Sequence, residues 1–214
     1  MMTRILELID ENFKLTERKC DEFRSLKLQG MNFENTAFSA EGLGNVAVMK
    51  ITTDNGFMSM DTLIINPFEL DAPMLSYDCI NMQKTAILYL EPFDTTLTHS
   101  FDLSGITEVT AKYDEVIENN PQQERWYDVM RLTGTCFKKT EKTELLKNML
   151  EEYYTAFVKS LKNATPCDVE AKKAKASEYS KGLIENGGPA TDPFLKAFGK
   201  ETTERFFKEV LFGV

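Results

Sequence analysis

Three aspartates stand among neighbours that do not suit a carboxylate. Asp78 lies in LSYDCI, inside the run MLSYDCI (74–80). A charge there is costly unless it is paired, protonated or open to a pocket. A carboxyl kept neutral by apolar surroundings can serve as a general acid. Asp61, in SMDTLIIN, interrupts a second apolar run, and period-2 counting puts it on one face with Leu63 and Ile65. Asp192 opens DPFLKAFG, where an acid before proline reads as a helix N-cap. Each also has a plainer reading. Asp78 can cap a turn at a strand end, Asp61 can sit on the exposed face of an edge strand, and Asp192 can be a cap alone.

Other chemistries find little support. The only histidine is His99, in the polar stretch DTTLTHSFD, so neither a His-rich metal site nor a triad with a nucleophile elbow is expected. Cys20, Cys79, Cys136 and Cys167 are scattered without a CxxC, as expected of reduced cytosolic thiols. No nucleotide-binding glycine motif is present. The net charge of −9 argues against nucleic acid as the main partner. Between Lys138 and Lys181, however, ten lysines face seven acidic residues, a local excess that reads as a solvated helix face or as a dock for an acidic partner.

The elements that must position these residues follow from periodicity. With 214 residues, no long linker and no fixed repeat, the chain is expected to form one domain over 1–214. No apolar run approaches the roughly 20 residues of a membrane helix, and MMTRILELIDENFK reaches acidic residues too early for a secretory signal; a cytoplasmic protein without a membrane partner is expected. Residues 3–26 read as an amphipathic helix on Ile5, Leu6, Ile9 and Phe13. A β-rich block follows from about 29 to 92. VAVMKIT (46–52) and FMSMDTLIINP (57–67) flank the hairpin signal TDNG, and MLSYDCI and TAILYLEPF (85–93) add two strands. RWYDVMRL (125–132), TELLKNMLEEYYTAFVKSL (143–161) and DVEAKKAKASEYSKGLIENGG (168–188) read as helices, the last stopped by its glycine pair. Gly199 separates DPFLKAF from a final apolar stripe of Phe206, Phe207, Val210 and Leu211. Strands followed by helices predict an α+β fold in which helices cover an antiparallel sheet.

The ending KAFGKETTERFFKEVLF resembles the C-terminus of the ferredoxin-dependent bilin reductases, in Lys196-Ala197-Phe198-Gly199, Glu204-Arg205 and Val210-Leu211-Phe212. NPFELDAPMLSYD (66–78) is similar to the family's strand-turn-strand. The resemblance covers most of the chain in layout and about 30 residues in motif. It implies a three-layer α/β/α sandwich around a central antiparallel sheet, binding a linear tetrapyrrole such as biliverdin between sheet and C-terminal helices. It also implies an enzyme with no tightly bound cofactor and no metal, fed single electrons by ferredoxin or flavodoxin and taking protons from its own acids.

By the same resemblance Asp78 falls on the family's catalytic aspartate, and a reduced bilin radical would take its proton there. Asp61 falls where the family usually carries His or Asn. Asp192 stands about one turn nearer the glycine than the family's second proton donor. Met49 occupies the place of one subgroup's essential Glu, so that subgroup's two-step reduction is not expected. Met49, Leu63, Ile65, Ser76, Lys196 and Phe198 are the implied substrate contacts, and Lys50, Arg125, Arg131 and Lys196 are candidate cations for the bilin propionates. A non-catalytic tetrapyrrole-binding protein of the same fold is the alternative.

Overall fold

The computed structural model describes residues 1–188 and 191–214. Its elements, in chain order, are α1 (Met2–Asp10), β1 (Leu15–Arg18), β2 (Ser25–Leu28), β3 (Met31–Ala40), β4 (Gly44–Thr53), β5 (Met58–Asn66), β6 (Met74–Met82), β7 (Thr85–Phe93), α2 (Ser104–Asp114), β8 (Glu118–Asn119), β9 (Cys136–Thr140), α3 (Thr143–Asn163), α4 (Val169–Asn186), α5 (Asp192–Arg205) and a C-terminal π-helix (Phe206–Phe212). The strands form one antiparallel sheet in the order β1-β3-β4-β5-β6-β7-β9-β8, with β2 also paired to β3. Its centre is a meander, because short connections join β3 through β7; the TDNG turn closes β4 onto β5 with Gly56 at φ +66°.

Strand alternation divides the core in two. Val46, Val48, Leu63, Ile65, Leu75, Tyr77, Leu88 and Leu90 pack with residues of α1, α2 and α3. Ala47, Met49, Ile51, Ile64, Met74 and Phe93 pack with α4, α5 and the C-terminal helix. Both faces of the central strands are therefore buried, which explains the unbroken apolar run Leu63-Ile64-Ile65 in β5. The architecture is the expected α+β sandwich of three layers.

The N-terminal expectation fails beyond Asp10. The helix stops there, Asp10 Oδ1 accepts the Leu15 N–H (2.7 Å), and Leu15–Arg18 and Ser25–Leu28 pair with β3 instead. Ladder bonds to an available strand outweigh a modest helical preference. RWYDVMRL also falls short of a helix and holds a single 3₁₀ turn, Asp128–Met130. Its aromatic residues are drawn onto α4 and β7, with Tyr127 5.5 Å from Phe93 and Trp126 5.8 Å from Tyr179 between ring centroids. The strand β9 had no periodicity to announce it.

The three C-terminal elements match their sequence signals. Asp168 caps α4 by accepting the Ala171 N–H (3.1 Å), and Gly187 ends it at φ +65°. Gly199, at φ +75°, breaks α5 as its position suggested. The closing helix then lies against the sheet through Phe206, Phe207, Val210, Leu211 and Phe212. Its last carbonyls need partners, and buried amides supply them: Asn45 Nδ2 donates to Leu211 O (2.9 Å) and Asn66 Nδ2 to Phe212 O (2.7 Å).

Candidate active site

On the face turned toward α4, α5 and the C-terminal helix, one row of side chains crosses the sheet: Asn35, Met49, Thr62, Asp78, Tyr89 and Phe137. Asp78 is the only acid in the row. The Thr62 hydroxyl, directly opposite on β5, donates to Asp78 Oδ1. Asp78 keeps some contact with solvent, as do Met60, Ser76, Ile80, Ile87, Tyr89 and Phe137 on the same face. Its carboxyl is nonetheless surrounded closely enough that desolvation pushes its pKa up to about 6; the Thr62 bond pulls the other way and the nearby Glu91 adds to the rise. Partial access with strong desolvation describes a group set into the packed face and held out of bulk water.

The next row carries Ser76, opposite Glu91 of β7. Glu91 is buried and bound twice by Arg131, from Nε (2.8 Å) and from the terminal guanidinium nitrogen (2.7 Å). Arg131 also bonds Asp128 and lies over the rings of Tyr127 (5.1 Å) and Phe137 (4.9 Å). Backbone bonds from Asp94 N–H to Met130 O (2.7 Å) and from Leu132 N–H to Pro92 O (2.9 Å) fix the arginine beside the end of β7. Phe93, Tyr127, Tyr179 and Phe212 complete an aromatic wall between β7 and α4. The arrangement offers a carboxyl whose pKa is raised toward neutrality, a shelf of partly open apolar side chains and a fixed guanidinium. It suits proton transfer to a flat, conjugated, anionic ligand.

Several expected site residues lie elsewhere. Asp61, Leu63 and Ile65 do share one face, as period-2 counting predicted, but it is the face toward α1 and α3, opposite to Asp78. Leu63 and Ile65 are core residues with no exposure (0%). Asp61 pairs with Lys50 across β4 and with Cys79 across β6, so Lys50 also points away from Asp78. Pairing register decides this: Thr62, not Asp61, stands opposite Asp78, and a one-residue difference reverses the face. Met49 and Ser76 are on the Asp78 face. Asp192 is exposed in the first turn of α5, and its Oδ1 accepts the Gly188 N–H (2.9 Å). Thr191, not Asp192, occupies the N-cap position. Two residues on, Phe194 packs on Phe33 of β3, three strands from β6. Lys196 is exposed on α5, and Phe198 lines a cavity of about 110 Å³ with Phe23, Leu26, Phe194 and Phe206. Among the described residues no group of three or more His, Cys, Asp or Glu side chains converges as a metal site.

The family described as ferredoxin-dependent bilin reductase matches residues 5–213. The chain belongs to that family. Among solved structures it is similar to phytochromobilin synthase from tomato in complex with biliverdin, with a TM-score of 0.74 and 14% sequence identity over 99% of this chain and 81% of that one. A comparison with curated proteins gives no match. Within this bilin reductase fold, sequence reasoning missed Thr62 and Glu91. Glu91 carried a signal of the kind that exposed Asp78, an acid inside the apolar strand TAILYLEPF. Thr62 carried none, since threonine is ordinary in a strand.

Proposed function

We propose that this reductase acts on biliverdin or a closely related linear tetrapyrrole, as an oxidoreductase of CH–CH groups with an iron–sulfur protein as donor. The whole chain works as one domain. The ligand lies on the partly open face of β5, β6 and β7, under α4 and the C-terminal helix. Ferredoxin, or flavodoxin in its place, delivers electrons singly, and no resident cofactor takes part. Each double bond reduced takes two electrons and two protons. Asp78 gives a proton to the ligand radical: its O–H bond breaks and a C–H bond forms on the bilin. The observation that carries this reading is the Asp78 carboxyl, raised to about 6 and facing that shelf.

Met49 and Ser76, on the Asp78 face, support roles as direct ligand contacts. The tomato enzyme was solved with biliverdin bound, which supports the choice of ligand. A cytoplasmic setting fits a ferredoxin-fed reaction. The test is anaerobic turnover of bound biliverdin with a reduced ferredoxin system, followed by absorbance. A product spectrum from the wild type and none from Asp78→Asn supports the reading; equal turnover by both removes Asp78 as donor.

A non-catalytic bilin-binding role is the second reading. It is favoured by Asp192, whose carboxylate is exposed and already bound to the Gly188 N–H, a poor posture for a second donor. Binding of biliverdin without reduction by any one-electron donor would select it.

A further inference from the structure

We propose that Glu91 is a positioning residue that keeps the proton on Asp78, with Arg131 holding Glu91 as the ionised partner. The inference rests on the reading of Asp78 as proton donor and deepens it.

The register places the two acids on one face of adjacent strands. Ser76 is opposite Glu91 and Asp78 is opposite Tyr89, so Asp78 and Glu91 are diagonal neighbours, about 7 Å apart at that spacing. Neither acid is freely solvated, and the Glu91 side chain is only 10% exposed. Two carboxylates so placed cannot both ionise cheaply. Burial raises the pKa of both acids, but Glu91 has a cation against it to oppose the rise, so Asp78 is the one that holds its proton to higher pH. Arg131 binds Glu91 through two nitrogens, whereas among the described residues Asp78 has only a hydroxyl, that of Thr62, bound to its carboxyl. The groups facing Glu91 from the other elements are Arg125, Tyr127, Asp128 and Arg131 from the loop before β9 and Tyr179 from α4. Asp128 draws part of the Arg131 charge and leaves the Glu91 carboxylate less than fully compensated. The residual negative field falls on Asp78.

The arrangement also returns the site to its starting state. Once Asp78 has released its proton to the reduced ligand, two carboxylates face one another. Asp78 then recovers a proton from water before the next electron arrives. The electrons come from the one-electron iron–sulfur donor of the family, so each step balances.

The direct test needs no substrate. The carboxyl C=O stretch of Asp78 is assigned as the band lost in Asp78→Asn, and its pH midpoint is followed in the folded protein. In Glu91→Gln, which keeps a hydrogen-bond acceptor for Arg131, the midpoint is expected to fall by about one pH unit. Glu91→Asp, which keeps the charge, is expected to restore most of it. The alkaline limb of turnover should move with the midpoint, which a merely structural role for Glu91 would not produce. An unchanged Asp78 midpoint in Glu91→Gln overturns the proposal. Should the variants fail to fold, ¹³C-labelled aspartate in the wild-type protein gives the same answer: a main Asp78 step at the raised midpoint with a further small shift at lower pH, where Glu91 gains its proton, supports it, and an Asp78 resonance that does not respond as Glu91 titrates overturns it. The two claims fail separately. Normal turnover by Asp78→Asn strikes at the proton-donor reading, while the Glu91→Gln midpoint tests the coupling alone.

Discussion

Burial raises the Asp78 pKa, and a hydroxyl on one neighbouring strand and a carboxylate on the other tune it in opposite directions. Removing the hydroxyl tilts that balance. Thr62→Val deletes a bond to the ionised form, so the Asp78 pKa should rise above its present value of about 6 and the alkaline limb of the pH–rate profile should move to higher pH. Asp78 should also mark the stability curve. With a folded pKa of about 6 against 3.8 for a free carboxyl, the folded chain binds more protons than the unfolded chain between those values. Stability from this group is full below about pH 4 and is lost as pH rises toward 6, by about 3 kcal/mol in all. Asp78→Asn removes that slope, so urea midpoints at pH 8 should place the variant above the wild type. Asp78 was legible in the sequence because a charge inside an apolar strand demands an explanation. Asp61 met the same criterion, but which face it shares depends on a register that the proline-containing loop between β5 and β6 leaves open to counting.

Among the elements, those with strong local signals were legible. The hairpin at TDNG, the 21-residue α3 with its stripe of buried Leu, Met, Tyr and Phe, the capped α4 and the break at Gly199 all follow from turn chemistry or 3.6-residue periodicity. Elements held by partners were not. β1 and β2 exist because β3 offers them a ladder, and β9 because it closes the far side of β7. The final helix owes its place to two amides as well as to its phenylalanines. Asn66→Leu should leave the Phe212 carbonyl unpaired, costing about 1–3 kcal/mol in urea unfolding. Phe212→Ala opens a cavity beside Tyr179 and Phe207 and should cost about 3–5 kcal/mol. Gly44→Ala should also destabilise, because its φ is +139° and a Cβ would lie 2.4 Å from the Asn66 carbonyl oxygen.

Across the whole molecule, the proposed chemistry falls on one side of the sheet. The side bearing α1 and α3 packs around the buried rings of Tyr77, Tyr153 and Tyr154, and its buried Lys138 is held by Asp114 and Asn119. The other side carries Asp78, Glu91 and Arg131. The lysine excess between Lys138 and Lys181 does not form one patch, because α3 and α4 cover opposite faces and Lys138 and Lys172 are buried. Sequence spacing cannot show that division. Lys172 instead ties α4 to the sheet, donating to the Ala72 and Thr95 carbonyls (2.5 and 2.8 Å). Burial lowers its pKa to about 8, so stability from this group should rise as pH climbs from about 8 toward 10.5, and Lys172→Met should lose that rise in alkaline unfolding curves.

Bilin reduction driven by an acid on the sheet face is tested most directly by one comparison. Wild type and Asp78→Asn are each loaded with biliverdin and supplied anaerobically with reduced ferredoxin, while absorbance is recorded. The expected result is binding by both, a reduced product from the wild type, and in the variant a radical that persists without yielding that product. Product formed by the variant at the wild-type rate would contradict it.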